Sequence, residues 1–174
     1  MNITDDQFRK TLGLFPTGVT VVTACSASKG HIGITISSFT SVSLMPPQIL
    51  FCLSRKSRTH PIFKDSAYFV VNILNKDQAH LSEGFANHTA LRLEEITTLR
   101  HEKSGCLLIG EAMGHIVCEK SVVYDGGDHD IIVGKVIDLT ADPDHFPLIR
   151  QRGKYHTTGD LTLLQKSIKC PGAT

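Results

Sequence analysis

Hydrophobic and polar positions along the chain alternate far more often at a period of two than at a period of 3.6, which is a strand-rich signature. The first exception opens the chain. Thr4-Asp5-Asp6-Gln7 has the form of a capping box, and Phe8, Leu12 and Phe15 follow at helical spacing. A short amphipathic helix is expected there, ending before Pro16, with Pro16-Thr17-Gly18 as a turn. Val19–Cys25 is β-branched and reads as a strand, joined through a hairpin-like Ser26–Gly30 connection to a second. In that second strand Ile32, Ile34 and Ile36 alternate with smaller or polar neighbours, as in a half-buried strand.

After Ile36 the phase breaks. Ser37–Ser43 carries five hydroxyls in seven residues, with Phe39 and Val42 on opposite parities. A slip of this kind predicts a bend or bulge. Leu44-Met-Pro-Pro47 ends the run, because proline has no N–H to donate to a ladder. Gln48–Leu53 is a continuous apolar stretch and reads as a strand buried on both faces. Ser54–Thr59 is a polar loop, His60–Phe63 one helical turn with Pro61 near its start, and Tyr68–Leu74 another buried strand. Asn75-Lys-Asp-Gln78 has the form of an N-cap leading into a helix through about Phe85. Residues 86–104 have no clear period. Val117–Tyr124 and Ile131–Ile137 then flank Asp125-Gly-Gly-Asp128, a strong hairpin signal.

No repeat, linker or low-complexity segment interrupts this. The expected architecture is mainly β, an antiparallel barrel or sandwich with Greek-key connections and a few short helices. A parallel α/β sheet is disfavoured, because the strands follow one another without crossover helices. At 174 residues and 19.0 kDa the chain fits a single domain spanning 1–174, with a core about 6–156 and a C-terminal tail, 157–174, of low periodicity. That tail reads as partly ordered or as an arm that wraps a partner.

Composition narrows the function. Eighteen Lys and Arg against seventeen Asp and Glu leave a formal charge of +1, so no global field draws in nucleic acid or an acidic membrane. With no Trp and 6% aromatics there is little to stack single-stranded bases. No apolar run approaches a membrane span, and the N-terminus lacks the pattern of a signal peptide. The five cysteines are odd in number, widely spaced and without a C-x-x-C pair, which fits reduced thiols in the cytoplasm and offers no zinc framework. The nine histidines form no metal-binding spacing, so no metal site is expected.

Two segments remain as candidates for chemistry. Thr35–Ser43 together with Ser54–Thr59 offers hydroxyls and amides for the polar edge of a planar heterocycle, and Arg55, Lys56 and Arg58 offer charge for a phosphate. On the residues alone, strand hydroxyls and a solvated basic turn are the more frequent reading. His129, beside the glycine turn, is the second candidate, and a hairpin with a polar first residue competes with it. Cys52 and Cys106 lie in apolar runs that favour packing over nucleophilic reactivity. No G-x-S-x-G elbow, phosphate-binding G-x-x-x-x-G-K-[ST] loop or G-x-G-x-x-G fingerprint occurs.

Taken in order, these segments resemble the short-chain flavin reductases with the FMN-binding split-barrel fold. The resemblance covers roughly residues 6–156. It is carried by Phe15-Pro-Thr-Gly-Val-Thr-Val-Val-Thr23, Gly33–Pro47, Phe69-Val-Val-Asn-Ile-Leu74, the Gln78–Ala86 segment, and Gly127-Asp-His129 followed by Val133-Gly134. The resemblance implies that Thr35, Ser37, Ser38, Phe39, Thr40 and Ser41 belong to the flavin-binding strand. It implies that Ser54, Ser57, Arg58 and Thr59 meet the flavin phosphate, and that Phe85 and Ala86 contact the cofactor from a helix end. It implies that His129 stands near the nicotinamide as the catalytic position, and that Tyr155 is an aromatic covering the site from the same subunit or its partner. Two positions depart from the family pattern: Ile36 replaces a small or polar residue, and Met45 stands where Asp is common.

The implied protein is a cytoplasmic homodimer that passes hydride from NADH or NADPH to FMN or FAD. It would be the reductase component of a two-component monooxygenase of the 4-hydroxyphenylacetate 3-monooxygenase type. Two alternatives stand beside that reading. One is an FMN-bound reductase of another acceptor, of the cob(II)yrinic acid a,c-diamide reductase type. The other is a non-catalytic flavin- or haem-binding module.

Overall fold

A computed structural model describes residues 3–27, 30–87 and 93–158. Its centre is a seven-stranded antiparallel sheet built from β2 (Thr20–Ser26), β3 (Gly30–Ile36), β4 (Thr40–Leu44), β5 (Pro47–Ser54), β6 (Tyr68–Ile73), β9 (Gly114–Gly126) and β10 (His129–Ala141). The strand order is β3-β2-β6-β9-β10-β5-β4, so the consecutive strands β3 and β4 lie at opposite edges. Laid flat, seven strands would hold those edges roughly 29 Å apart. The three residues between them, Ser37, Ser38 and Phe39, reach at most roughly 14 Å. The sheet must therefore curl until its edges meet. The phase break after Ile36 marks the crossing point of this barrel, and the expected bulge follows at Val42, where the β4–β5 register shifts between Ser41 and Ser43.

The remaining strands are short. β1 (Thr17–Gly18), β11 (Ile149–Gln151) and β12 (Lys154–His156) form one sheet, and β7 (Thr98–Arg100) pairs with β8 (Leu107–Ile109) in another. Among the described residues three α-helices, α1 (Asp5–Leu12), α2 (His60–Asp65) and α3 (Ala79–Asn87), accompany the barrel. None of the helices among the described residues is long and apolar enough to cross a membrane.

Two apolar layers explain the arrangement. Inside the barrel, Val22, Ile36, Phe51, Phe63, Phe69 and Ile132 pack together, with Phe51 edge-on to both Phe63 and Phe69 at centroid distances of 5.8 and 5.2 Å. Outside it, Val19, Val21, Leu74, Leu81, Phe85 and Leu148 bind α3 to the barrel wall. Strands β2 and β6 lie between the layers and are buried on both faces. β5 differs from the expectation of two-sided burial: Ile49, Phe51 and Leu53 are buried while Leu50 and Cys52 are half-buried. Its apolar run is continuous, but its second face is only partly covered among the described residues. β8 is tied to the wall by Asn72, which is fully buried. Its Nδ2 donates to the Val21 carbonyl (2.8 Å) and its Oδ1 accepts from the Ile109 amide (2.8 Å).

The capping boxes at Thr4 and Asn75 form as the sequence expects, the second closing a 3₁₀ turn, Lys76–Gln78, that leads into α3. The β9–β10 hairpin forms with longer strands than expected. One local expectation is corrected. Pro16–Gly18 is not a free turn, because Thr17 and Gly18 pair with Arg150 and Ile149. The short helix α1 forms as expected but buries none of its residues: Phe8 is 56% and Leu12 57% exposed, with Phe15 beyond the helix at 73%. Among the described residues no element covers that face, and α1 is tied at its end, where the Arg152 amide donates to the Gly13 carbonyl (2.7 Å). Of the 157–174 tail only Thr157 and Thr158 are described; the expected arm lies outside the described residues.

Candidate functional site

β5 and the segments that meet its C-terminal end bring most of the sequence candidates together. Ser38 sits on the crossing between β3 and β4, and its Oγ accepts from the Cys52 amide (3.0 Å) and approaches the Cys52 carbonyl at 3.2 Å. That pair of contacts closes the barrel seam and fixes Ser37 and Ser38 beside β5. Thr40 and Ser41 continue along the edge strand β4 with exposed side chains. Two residues after Cys52, Ser54 begins the polar loop, and in the β5–β10 register it stands opposite His129. Ser37–Ser41, Ser54–Thr59 and His129 thus border one stretch of strand.

The loop is shaped by its own hydroxyls. The Lys56 amide donates to Ser54 Oγ (3.3 Å), the Thr59 amide to Ser57 Oγ (3.3 Å), and the Ser57 and Thr59 hydroxyls are 2.8 Å apart. These local bonds coil the loop back on itself. The two arginines of the loop then part company. Arg55 is fully engaged by the β9–β10 hairpin, donating from Nε to Asp130 (2.7 Å), from one terminal nitrogen to Asp125 (2.6 Å) and from the other to the Gly127 carbonyl (3.0 Å). Arg58 is exposed and has no ion-pair partner among the described residues.

Charge on the hairpin is arranged to match. Asp130 accepts from Arg55 on one oxygen and meets His60 Nε2 on the other at 2.7 Å, which holds its carboxyl below the usual carboxylate range, chiefly through His60. Asp125 is likewise held low, first by the Gly127 amide and then by Arg55. Asp128 is held low by His129, whose Nδ1 lies 2.6 Å from its Oδ1. His129 is therefore oriented by a neighbouring carboxylate while its side chain stays 42% exposed.

A second group of candidates lies across the barrel seam. Thr35 Oγ1 donates to the Ser82 carbonyl (2.7 Å), and Ser82 Oγ is 2.8 Å from the Tyr155 hydroxyl. Tyr155 also lies under the Arg150 guanidinium, 5.1 Å from the ring centroid. The Phe85 ring packs against Gly33 of β3, is only 5% exposed, and supports the helix end from beneath, whereas Ala86 is exposed. Between α1, the crossing and the β11–β12 turn opens a cleft of about 790 Å³, with Ser37 and Ser38 on one wall, Phe8, Leu12 and Phe15 on another, and Arg150 and Arg152 at the rim.

The two family departures find different places. Ile36 points into the barrel core at 6% exposure, so its bulk is absorbed by packing. Met45 is at the tip of the β4–β5 hairpin and 93% exposed. Phe39 packs against the barrel core from its edge. Cys106 is buried and its thiol raised by burial, and Cys118 is pushed up to about 12, which fits packing roles. Cys52 takes part through its backbone. What sequence reasoning missed is the Arg55–Asp125–Asp130–His60 cluster. Its one sequence signal was charge complementarity between the basic run at 55–58 and the acidic turn at 125–130.

The donor set suits a flavin. Hydroxyls and amides on the crossing match the polar edge of a planar ring, and Arg58 with the Ser57–Thr59 pair matches a phosphate. Comparison with known proteins agrees. Residues 12–159 match the family described as flavin reductase like domain. The chain is 37% identical over 148 residues to the FMN reductase (NADH) SmoA of Agrobacterium fabrum, covering 85% of this chain and 83% of that protein. It is 35% identical over 149 residues to the reductase component of a 4-nitrophenol 4-monooxygenase/4-nitrocatechol 2-monooxygenase of Rhodococcus opacus, covering 86% and 78%. The solved structure of the Streptomyces globisporus NADH:FAD oxidoreductase SgcE6, in complex with NAD and FAD fragments, superposes with a TM-score of 0.86 at 32% identity, covering 93% of this chain and 99% of that one.

Proposed function

The chain belongs to the flavin reductase-like family, and on that premise we propose that it transfers hydride from NADH to FMN or FAD, the reduced flavin serving a partner monooxygenase. The observation that carries this reading is that Ser37–Ser41, the Ser54–Thr59 loop and His129 all border β5, within a chain matched to the family over residues 12–159. The relatives' names favour NADH as donor and flavin as acceptor. They do not favour a corrinoid reductase or a non-catalytic module.

A bound flavin supplies the hydride-accepting chemistry. The protein's part is placement and electrostatics. Ser37, Thr40 and Ser41 would hold the ring, their hydroxyls and the neighbouring amides facing its polar edge, while Ser38, spent on the Cys52 amide and carbonyl, would keep the crossing in place beside it. Ser57, Arg58 and Thr59 hold the phosphate, and Ser54 shapes the loop that carries them. Phe85 braces the helix end at Ala86, and Tyr155, held by Ser82, shields the side of the site formed by α3. His129, oriented by Asp128, positions the nicotinamide. No buried general acid is needed, and the carboxylates at the site, Asp125, Asp128 and Asp130, are engaged by Arg55, His60 and His129.

The protein acts as a cytoplasmic homodimer. The support is apolar surface: Phe8, Leu12 and Phe15 on one side and Leu44 and Met45, each 93% exposed, on another form faces of the kind that a second copy covers. Sedimentation at micromolar concentration that gives only monomer would overturn the dimer. Anaerobic stopped-flow bleaching of FMN and FAD by NADH and NADPH tests the activity: rapid bleaching with NADH is expected, and none with either nicotinamide would overturn it.

A further inference from the structure

The geometry points to Arg55 as a positioning residue that locks the phosphate loop to the hairpin carrying His129, so that the phosphate grip and the nicotinamide side of the site hold one geometry together. This rests on the flavin reductase reading of the site. The β5–β10 ladder ends at the Ser54–His129 pair. Beyond it the chain on one side coils into the Ser54–Thr59 loop, and on the other belongs to the exposed tip of the β9–β10 hairpin.

Arg55 spans that gap with its whole donor face. Its guanidinium reaches Asp125, Gly127 and Asp130 at 2.6–3.0 Å, and its backbone amide donates to the Asp128 carbonyl at 3.0 Å. The contacted residues enclose His129 on both sides. His60, at the start of α2, holds the second oxygen of Asp130, so the hairpin is also fastened to the far end of the loop.

Stability alone does not explain this arrangement. The Arg55 side chain is 41% and Asp125 76% exposed, so that pair adds little to folding, and Asp130, 16% exposed, is already held by His60. What three charge-assisted bonds from one planar group do well is fix direction. Arg55 also has neighbours that make its choice informative: Lys56 and Arg58 share the loop, yet only Arg55 is turned inward to the hairpin. Arg58 is left outward for an anion. The loop thus divides its cations between a structural lock and a ligand contact.

The test uses the full-length protein with Arg55→Ala, Arg55→Lys, Asp125→Asn and the double variant Arg55→Ala/His129→Ala. Affinity for FMN and for riboflavin, which lacks the phosphate, is read from quenching of flavin fluorescence, and NADH kinetics are read at saturating flavin. Arg55→Ala should weaken FMN roughly tenfold while riboflavin changes by less than about twofold, and should lower kcat/KM for NADH roughly tenfold. Lysine should recover part of both losses, and Asp125→Asn should show the same pattern at smaller size even if Arg55→Ala folds poorly. In the double variant the hydride-transfer loss should not exceed that of His129→Ala alone, because Arg55 acts through the position of His129.

A fall in melting temperature with FMN affinity and NADH kinetics unchanged would overturn the proposal, as would fully additive losses in the double variant. Wild-type protein that bleaches no flavin would instead sink the functional reading. The lock is still judged in that case, from the difference between FMN and riboflavin affinities, which needs no turnover.

Discussion

His129 on β10 stands directly across the antiparallel ladder from Ser54 on β5, the first residue of the phosphate loop. Two candidates far apart in the chain are thereby paired strand residues. His129→Ala should lower NADH turnover by roughly tenfold to a hundredfold, the range for losing a positioning contact. FMN affinity should change by less than about twofold, since the loop keeps its own hydrogen bonds. Steady-state kinetics beside flavin titration checks this, and unaltered turnover would remove His129 from the mechanism.

Gly33 is where α3 meets the barrel. A Cβ there would come within 2.8 Å of the Phe85 ring, which is buried and has no room to swing away. Gly33→Ala should therefore displace the helix end that carries Ala86. The expected result is a loss of about 1–3 kcal/mol in urea unfolding together with weaker flavin binding. Destabilisation with flavin affinity intact would show that the helix end does not touch the ligand.

Asn72 joins the outer sheet to the wall from a fully buried position. Asn72→Leu keeps the branched shape but leaves the Ile109 amide without its partner and takes a bond from the Val21 carbonyl. A buried orphan costs about 1–3 kcal/mol, so denaturant midpoints should fall markedly. A change below about 0.5 kcal/mol would mean that water replaces the side chain.

Acid should open the hairpin lock. Asp125 and Asp130 are held below the ordinary carboxylate value, so their contribution is present at neutral pH and lost as pH falls through their folded values, below about 4. Wild type should be more stable than Asp130→Asn at pH 7, and the two melting curves should converge as pH falls below the ordinary carboxylate range. A difference that stays constant with pH would show that the carboxylate charge is not what matters.

The buried thiols give a chemical check on the core. Cys118, pushed up to about 12, and Cys106, raised by burial, should resist iodoacetamide at pH 8 in the native protein and react once it is unfolded. Rapid native labelling of either, read by mass spectrometry, would contradict the packing.

Local chemistry made much of this protein legible in the sequence. The capping boxes at Thr4 and Asn75, the strand through Ile32, Ile34 and Ile36, and the glycine turn before His129 each depend on neighbours a few residues away, and each formed as read, although β3 is evenly half-buried rather than alternating. The order of motifs also sufficed to place the chain among flavin reductases. Three-dimensional closure decided the rest. Whether β5 is buried on one face or two depends on what the fold lays over it, and whether Phe8 and Leu12 join a core depends on where α1 is anchored. The pairing of Arg55 with Asp125 and Asp130 bridges some seventy residues of chain. A run of charges looks the same whether solvated or locked, and only the curl of the sheet, which sets those segments side by side, distinguishes the two.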